Sequence, residues 1–509
     1  MTVPVLPRAS AAIQAAVYAA RSGGLGKEAA SGKTKEKKEG RNGNFVCSPL
    51  SILLVFAVAM RGARGRTFEE MERLLPLRGV PALLRLSSYS SSESQRGKEQ
   101  QKGEVEVESE AGIMDLGTEL DLASRMYVDG RLETNTYFRR FRDELLQECS
   151  SGSTQVQQLP VQLIDCNKGA ESANKINAFI SEATRGRITK LVSADQVTPA
   201  TRLLLVSAAF FKGPWWTPFN EQETKKATFY ALHFEDSEAE PQATGREESR
   251  DGGGETEGSD QSQGFFAHRP EPRLTEQNVD MMHVRLEAPA EFYFKIDNAV
   301  TAVGLPYRNS NYVMYIVQPN NAKHLGELMR LKGDPSEAHR FPTLDEVVRS
   351  MRETREEAEE VEAYVSLPKF ALKGPDNHLD LIPLFMRLLK IKAPFDQELA
   401  DFSGISGDQS LLMSAFLHQA EIEVDEKGTV ATAATVAAIA LKMAFMPKKR
   451  VEIVINKPFA FQIRYHPPEE SGVQEGEPGS EGPLLRESPV LGDYVLFTGC
   501  VTDVLAAQQ

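Results

Sequence analysis

Glu421–Arg450 reads EIEVDEKGTVATAATVAAIALKMAFMPKKR, and between Lys427 and Lys442 it runs for fourteen residues without a charge or a proline. Most of that run is alanine, threonine or valine. In an extended chain the side chains alternate between two faces. Thr429, Ala431, Ala433, Thr435, Ala437 and Ile439 then share one face, and Val430, Thr432, Ala434, Val436 and Ala438 share the other. Both faces are small or β-branched, so either suits burial in a sheet without overpacking. Two other readings stay open on composition alone. Gly428 to Met446 is nineteen residues with one charge and a basic flank at Lys448, Lys449 and Arg450, which is close to the profile of a membrane span. It is rich in alanine and threonine rather than leucine, however, and Lys442 interrupts it. Alanine is also the best helix former, so a buried alanine-rich helix fits too. The choice falls to the rest of the chain.

The chain has 509 residues, 41% hydrophobic and 26% charged, which suits a soluble globular protein with ample material for a core. The net charge of −14 is unevenly placed. Ser88–Gly112 carries −3, Glu235–Asn278 carries −8 and Pro468–Ser488 carries −5, leaving the remainder near +2. The acidity therefore belongs to insert-like segments, and no stripe suited to nucleic acid emerges. Arg139, Arg140 and Arg142 cluster at a spacing that reads as a solvated helix face. Cys47, Cys149, Cys166 and Cys500 are too scattered for a metal site and read as buried thiols. The opening stretch with SAAIQAAVYAA lacks a leucine-rich core and reads as an amphipathic helix rather than a cleaved signal, which points to an intracellular site.

Along the chain, Gly24–Gly43 reads as a linker, and Asn44, Ser48 and Pro49 announce a helix that Gly62 and Gly65 close. A second helix is expected from Thr67. Leu120–Val128 reads as a strand, and Asn135–Cys149 as a helix with Tyr137, Phe138, Phe141 and Leu145 on one side. Ser172–Leu191 reads as an amphipathic helix ending near Gly186. The apolar run Arg202–Trp216 reads as a strand buried on both faces. Glu235–Asn278 reads as disordered. Strands are expected at Phe292–Ile296, Thr301–Leu305 and Tyr312–Gln318, then a charged helix over Leu344–Ala363 and a strand over Tyr364–Phe370. A helix over Leu379–Leu389 and closing strands at Asn456–Tyr465 and Tyr494–Thr502 complete the list. Helices and strands mixed without βαβ regularity indicate an α+β fold.

The order of several motifs resembles the serpins over about 450 residues. NFVCSPLSI (Asn44–Ile52) is similar to the opening of the family's second helix and places shutter serines at Ser48 and Ser51. FFKGPWWTPF (Phe210–Phe219) resembles the family's F-K-G-x-W strand, with the breach tryptophan at Trp215. LPKF (Leu367–Phe370), DFSGIS (Asp401–Ser406), FLHQAEIEVDEKGT (Phe416–Thr429), NKPFAF (Asn456–Phe461) and VLFTGCV (Val495–Val501) follow in family order. The resemblance implies one serpin domain over 1–509 with a core of about 8–505: a large mixed sheet, two smaller sheets, surrounding helices and an exposed reactive-centre loop. Low-complexity inserts fall at about 24–43, 88–112, 235–278 and 468–488.

The uncharged stretch then resembles that loop, with a hinge of Glu426, Lys427, Gly428, Thr429, Val430, Ala431, Thr432, Ala433 and Ala434. In the family the scissile bond lies sixteen residues past the hinge glutamate, which gives Lys442–Met443. The resemblance implies a suicide inhibitor of serine proteases, and a lysine before the bond suits trypsin-like enzymes with an acidic primary pocket. Its partner is then the protease in a covalent acyl-enzyme complex, with no cofactor, metal, nucleic acid or membrane span, and the inhibitor is expected to be a monomer. The alternatives are a non-inhibitory, chaperone-like binding protein or a cross-class inhibitor of cysteine proteases. Many family members act outside cells, so the compartment stays open. Ser207 stands where the family usually has asparagine, facing His418, and its shorter side chain is expected to alter the shutter network. Neither Ser48 nor Ser51 lies in a nucleophile motif such as G-x-S-x-G, which argues against an enzyme.

Overall fold

The computed structural model describes residues 5–24, 41–87, 117–149, 159–234, 273–288, 291–330, 340–354, 361–429, 449–466 and 494–508. The chain opens with helix α1 (Val5–Ala19), then short strands β1 (Arg41–Asn42) and β2 (Phe45–Cys47). Helix α2 (Pro49–Gly62) starts at Ser48, whose hydroxyl accepts the Ser51 N–H, and Pro49 supplies a preset first turn. All of α2 except Arg61 is buried, as expected of a helix that is apolar all round. Helices α3 (Gly65–Leu74) and α4 (Val80–Ser87) follow, then strand β3 (Glu119–Asp129), helix α5 (Thr136–Cys149), strand β4 (Val161–Ile164) and helix α6 (Gly169–Ala183). Next come strands β5 (Leu203–Pro214), β6 (Lys225–Phe234), β7 (Arg273–Ala288), β8 (Tyr293–Ile296), β9 (Val300–Pro306) and β10 (Tyr312–Pro319). Helices α7 (Leu325–Leu328) and α8 (Leu344–Glu353) precede strands β11 (Val361–Pro368), β12 (Phe370–Leu372) and β13 (His378–Asp380). Helices α9 (Leu381–Arg387) and α10 (Ser403–Ser406) lead into β14 (Met413–Val424), β15 (Gly428–Thr429), β16 (Lys449–Val454), β17 (Phe459–Tyr465) and β18 (Tyr494–Val501).

The strands form three sheets, in the orders β1-β6-β7-β11-β16, β2-β18-β17-β10-β9-β8 and β12-β14-β15-β5-β3-β4, with β13 added to β14. In the third and largest, β5 is apolar on both sides. Leu203, Leu205, Ala209 and Phe211 join the main core with α2, whereas Leu204, Val206 and Ala208 pack in a second cluster with Ile176 and Ile180 of α6. That double burial is what the continuous apolar run encodes. The four cysteines are buried thiols.

Several sequence expectations shift. Tyr137 is 56% exposed, while Phe138, Phe141 and Leu145 form the buried side of α5. The acidic segment thought to run to Asn278 gives way at Arg273 to β7, which pairs with both β6 and β11. The long charged helix stops at Glu353, and Val361–Ala363 belong to β11, where pairing with β7 and β16 outweighs helix propensity. Leu379 and Asp380 are strand, with Asp380 capping α9 through the Ile382 N–H. Asn44 precedes β2 rather than starting a helix, because its side chain is taken up by the backbone of Thr502 and Asp503. Arg139, Arg140 and Arg142 do lie on an exposed face, with Arg140 paired to Glu144 at 2.8 Å.

Candidate functional site

The site is the seam between β5 and β14. These strands pair in parallel from Leu203 and Met413 up to Phe210 and Glu421. Above that point β15 lies between them, with Thr429 opposite both Gly213 and Val424. The seam is therefore closed along most of its length and split at its top by the first two residues of a new antiparallel strand.

The closed part is held by a buried polar chain linking α2 to both strands. Ser207 of β5 and His418 of β14 are register partners, and the Ser207 Oγ lies 3.1 Å from His418 Nδ1. The Ser48 backbone N–H donates to His418 Nε2 at 3.0 Å. Nε2 is thus unprotonated, which leaves Nδ1 of the neutral ring to donate to Ser207. The Ser207 and Ser51 hydroxyls are 2.8 Å apart, and Ser51 Oγ donates to the Ser48 carbonyl at 3.2 Å. Ser124 Oγ of β3 completes the set by donating to Ser51 O at 2.9 Å. Ser48, Ser51, Ser207 and His418 are all fully buried. Serine at 207 reaches both of its neighbours, so the altered network closes without a longer side chain. Burial pushes the His418 imidazole down to about 3, in keeping with a neutral ring.

The open part is organised by Trp215, which is buried flat against Tyr307 with ring centroids 4.6 Å apart. Its indole N–H donates to Asp425 O at 3.0 Å, and its backbone N–H donates to Lys427 O at 2.9 Å. The Phe219 N–H donates to Glu426 O at 2.8 Å. The turn from β14 into β15 is closed by Asp425, whose Oδ1 accepts the N–H groups of Lys427 and Gly428. Burial pushes the Glu426 carboxyl upward, but hydrogen bonds from Lys369 Nζ (2.8 Å) and Thr224 Oγ1 (2.7 Å) prevail and hold it below its ordinary range. Lys427 is half-exposed and pairs with Glu221 at 3.1 Å. Gly428 is required by close approach, since a Cβ there would lie 2.2 Å from Gly213 O. Thr429 is fully buried, its hydroxyl 2.7 Å from that of Tyr307.

The structure thus gathers Trp215, Glu426, Lys427, Gly428 and Thr429 at the top of the seam and Ser48, Ser51, Ser207 and His418 in its middle. Val430, Ala431, Thr432, Ala433, Ala434, Lys442 and Met443 lie outside the described residues. Tyr307, Thr224 and Ser124 belong to the site and carry no sequence signal, because each is recognised only by a partner far away in the chain, whereas Lys369 falls within the LPKF motif. Among the described residues no helix is long and apolar enough to cross a membrane, and no group of three or more potential ligands could hold a metal ion.

The fold is thus a three-sheet α+β architecture whose largest sheet holds the two-residue β15 between β5 and β14. The family model for serpins (serine protease inhibitors) matches residues 32–240 and 263–470, and the chain belongs to the serpin family. It is 27% identical to Iris of Ixodes ricinus over 439 residues, covering 84% of this chain and 90% of Iris. It is 27% identical to the leukocyte elastase inhibitor of Xenopus tropicalis over 436 residues (85% and 92%) and 26% identical to human Serpin B11 over 425 residues (83% and 90%). Among solved structures, Serpin48 of the insect Tenebrio molitor aligns with TM-score 0.56 at 19% identity, covering 98% of both chains. Maspin aligns with TM-score 0.60 at 17% identity, again over 98% of both chains. These similarities in structure establish the fold.

Proposed function

We propose that this serpin is a suicide inhibitor of trypsin-like serine proteases, attacked at Lys442–Met443. The observation that carries the reading is β15: two residues of the hinge already occupy strand positions between β14 and β5, and the sequence that follows is small and uncharged. The protease serine oxygen attacks the Lys442 carbonyl, the Lys442–Met443 amide breaks, and Met443 leaves as an amine with the proton relayed by the protease histidine. An ester joins the protease to Lys442. Extension of β15 down the seam replaces the direct β5–β14 pairing with two antiparallel ladders and draws the protease along the sheet. A catalytic centre pulled out of alignment loses orders of magnitude in rate, so the ester persists.

The sequence between the hinge and Lys442 holds no charge or proline to halt a growing strand. That composition favours the inhibitory reading over a binding protein whose loop is cut without insertion. The likeness to leukocyte elastase inhibitors supports it as well. The test is incubation with substoichiometric trypsin, followed by denaturing gel electrophoresis and mass spectrometry of the released peptide. A denaturant-stable complex and a fragment beginning at Met443 are expected. Cleavage without complex would sink the reading against trypsin, and a fragment beginning at Lys449 or later would move the reactive bond.

A further inference from the structure

The face of the large sheet that lies under α6 carries a buried carboxylate. Along β3, Asp121, Ala123, Arg125 and Tyr127 share one side by strand alternation, and Ala123 and Tyr127 pack in the α6 cluster. The Asp121 side chain is 1% exposed. Its register partner on β5 is Phe210, and the Arg187 guanidinium lies over that ring at 5.0 Å. Arg185, just past the end of α6, reaches down to the carboxylate. Its Nη2 donates to Asp121 Oδ1 at 3.2 Å, and its Nε stands 3.2 Å from Oδ2. Oδ2 accepts no hydrogen bond among the described residues. The same guanidinium is shared with Glu119, which also meets Lys212 Nζ of β5 at 3.4 Å. Also charged on this face are Arg125, over the Phe179 ring of α6 at 3.5 Å, and Glu182 of α6, which attracts it.

An ionised carboxylate can accept about four hydrogen bonds, and charge-assisted ones run at about 2.8 Å. Among the described residues Asp121 has one, at 3.2 Å, from a cation that it shares with a second carboxylate. Taking such a group out of water costs more than this pairing returns. Burial accordingly pushes the Asp121 carboxyl up to about 6, with Arg185 pulling it back and Glu119 adding to the rise. Arg185 itself takes φ 52°, which a residue with a Cβ adopts at a cost. The end of α6 is therefore tied to β3 by a pair that is poorly matched on both sides. That tie bears on the seam. Val206 of β5, Leu417 of β14 and Ile188 and Leu191 of the α6–β5 connection all belong to the α6 cluster, so β5 and β14 cannot part without disturbing it.

We propose that Asp121 is a positioning residue for loop insertion, a buried and under-paired carboxylate that leaves the end of α6 loosely fastened while ionised and lets it close firmly once protonated. The role in insertion rests on the inhibitory reading, whereas the fastening of α6 does not. Lifting the connection off β3 hydrates the carboxylate. The charged form thus favours the lifted arrangement, and parting of the seam meets less resistance. Between the ordinary 3.8 and about 6, the closed arrangement binds the proton and the lifted one does not. The loosening is then fully present above about pH 6 and gone below about pH 4, the closed form gaining as the pH falls through that window.

The test uses the full-length chain and its variants Asp121→Asn, which keeps the shape without the charge, and Arg185→Gln, which strands the carboxylate. Thermal midpoints at about pH 7.5 should move in opposite directions, up by about 2 °C for Asp121→Asn and down by a similar amount for Arg185→Gln. At about pH 4.5 the gain from Asp121→Asn should vanish, because the parent carries the proton there. Comparing variant with parent at each pH removes the titration of His418, which is common to both. An ordinary stabilising pair would lower the midpoint in both variants. That outcome, or a gain for Asp121→Asn that is the same at both pH values, would overturn the proposal, and Asp121→Asn decides it alone if Arg185→Gln does not fold. With trypsin as probe, Asp121→Asn should leave the rate of loop cleavage unchanged. It should raise the ratio of released cleaved chain to trapped complex by about fivefold, the scale on which neutralising a buried pair acts. An unchanged ratio would overturn the role in insertion. Failure of the parent to trap trypsin would overturn the inhibitory reading, while the midpoints would still judge the fastening of α6.

Discussion

The middle and the top of the β5–β14 seam use the same two strands and are held by opposite means. In the middle, Ser207 and His418 face each other directly and are tied to α2 through Ser48 and Ser51. At the top, the strands are parted, and Gly428 and Thr429 fill the space under Trp215 and Tyr307. In the lower seam a direct parallel ladder is backed by side-chain hydrogen bonds to α2, while in the upper seam antiparallel ladders to β15 and a glycine hold the strands apart. The proposed insertion needs both: an opening that has already nucleated pairing, and a closure that resists its spread.

The largest change should come from breaking the closure. His418→Ala leaves the Ser48 N–H and the Ser207 hydroxyl without their buried partner and opens a cavity, at a cost of about 3–5 kcal/mol. Denaturant unfolding measures the loss, and early insertion of the uncut loop should accompany it. Acid should act on the same ring. His418 has a pKa of about 3 in the fold against the ordinary 6.5, so the unfolded chain binds more protons between those values. Stability is then fully present above about pH 6.5 and falls as the pH drops toward 3, by on the order of a few kcal/mol. A melting profile across that window reads the effect, and a Ser207→Ala variant, which leaves the ring buried, should keep the same sign.

Changes at the top should be smaller. Gly428→Ala places a methyl group against Gly213 O and should expel the hinge from the sheet, costing about 1–3 kcal/mol. Its signature is a shift in the emission of the buried Trp215, whose partners include Lys427 and Asp425. Tyr307→Phe and Thr429→Val each remove one half of a single hydroxyl pair, at about 1 kcal/mol apiece. Because they share that bond, the double variant should cost less than the two combined, which a double-mutant cycle detects. Additive costs would show that the pair does not hold the hinge.

How much of this was legible in the sequence depended on how local the signal was. The β5 run announced burial on both faces because both of its sides are apolar. Ser48 and Pro49 marked the start of α2 through capping chemistry, which is local. The serpin motifs pointed to Trp215 and His418. Val361–Ala363 reads as the end of a charged helix because the residues leading into it favour helix, whereas the strand at Val361–Ala363 is set by pairing with β7 and β16. Tyr307 could not be found at all, since it meets Thr429 across 122 positions of chain. The burial of Thr429 was likewise hidden, because composition shows that a segment can enter a sheet and not that it has begun to.

Thermal unfolding before and after a single cut in the loop bears most directly on whether β15 is the start of a longer strand. If the cut loop continues down the seam, the midpoint should rise by on the order of 10 °C or more, as the new ladders and buried side chains add to the fold. An unchanged or lower midpoint in the cut protein would mean that β15 ends at Thr429 and that the seam does not open.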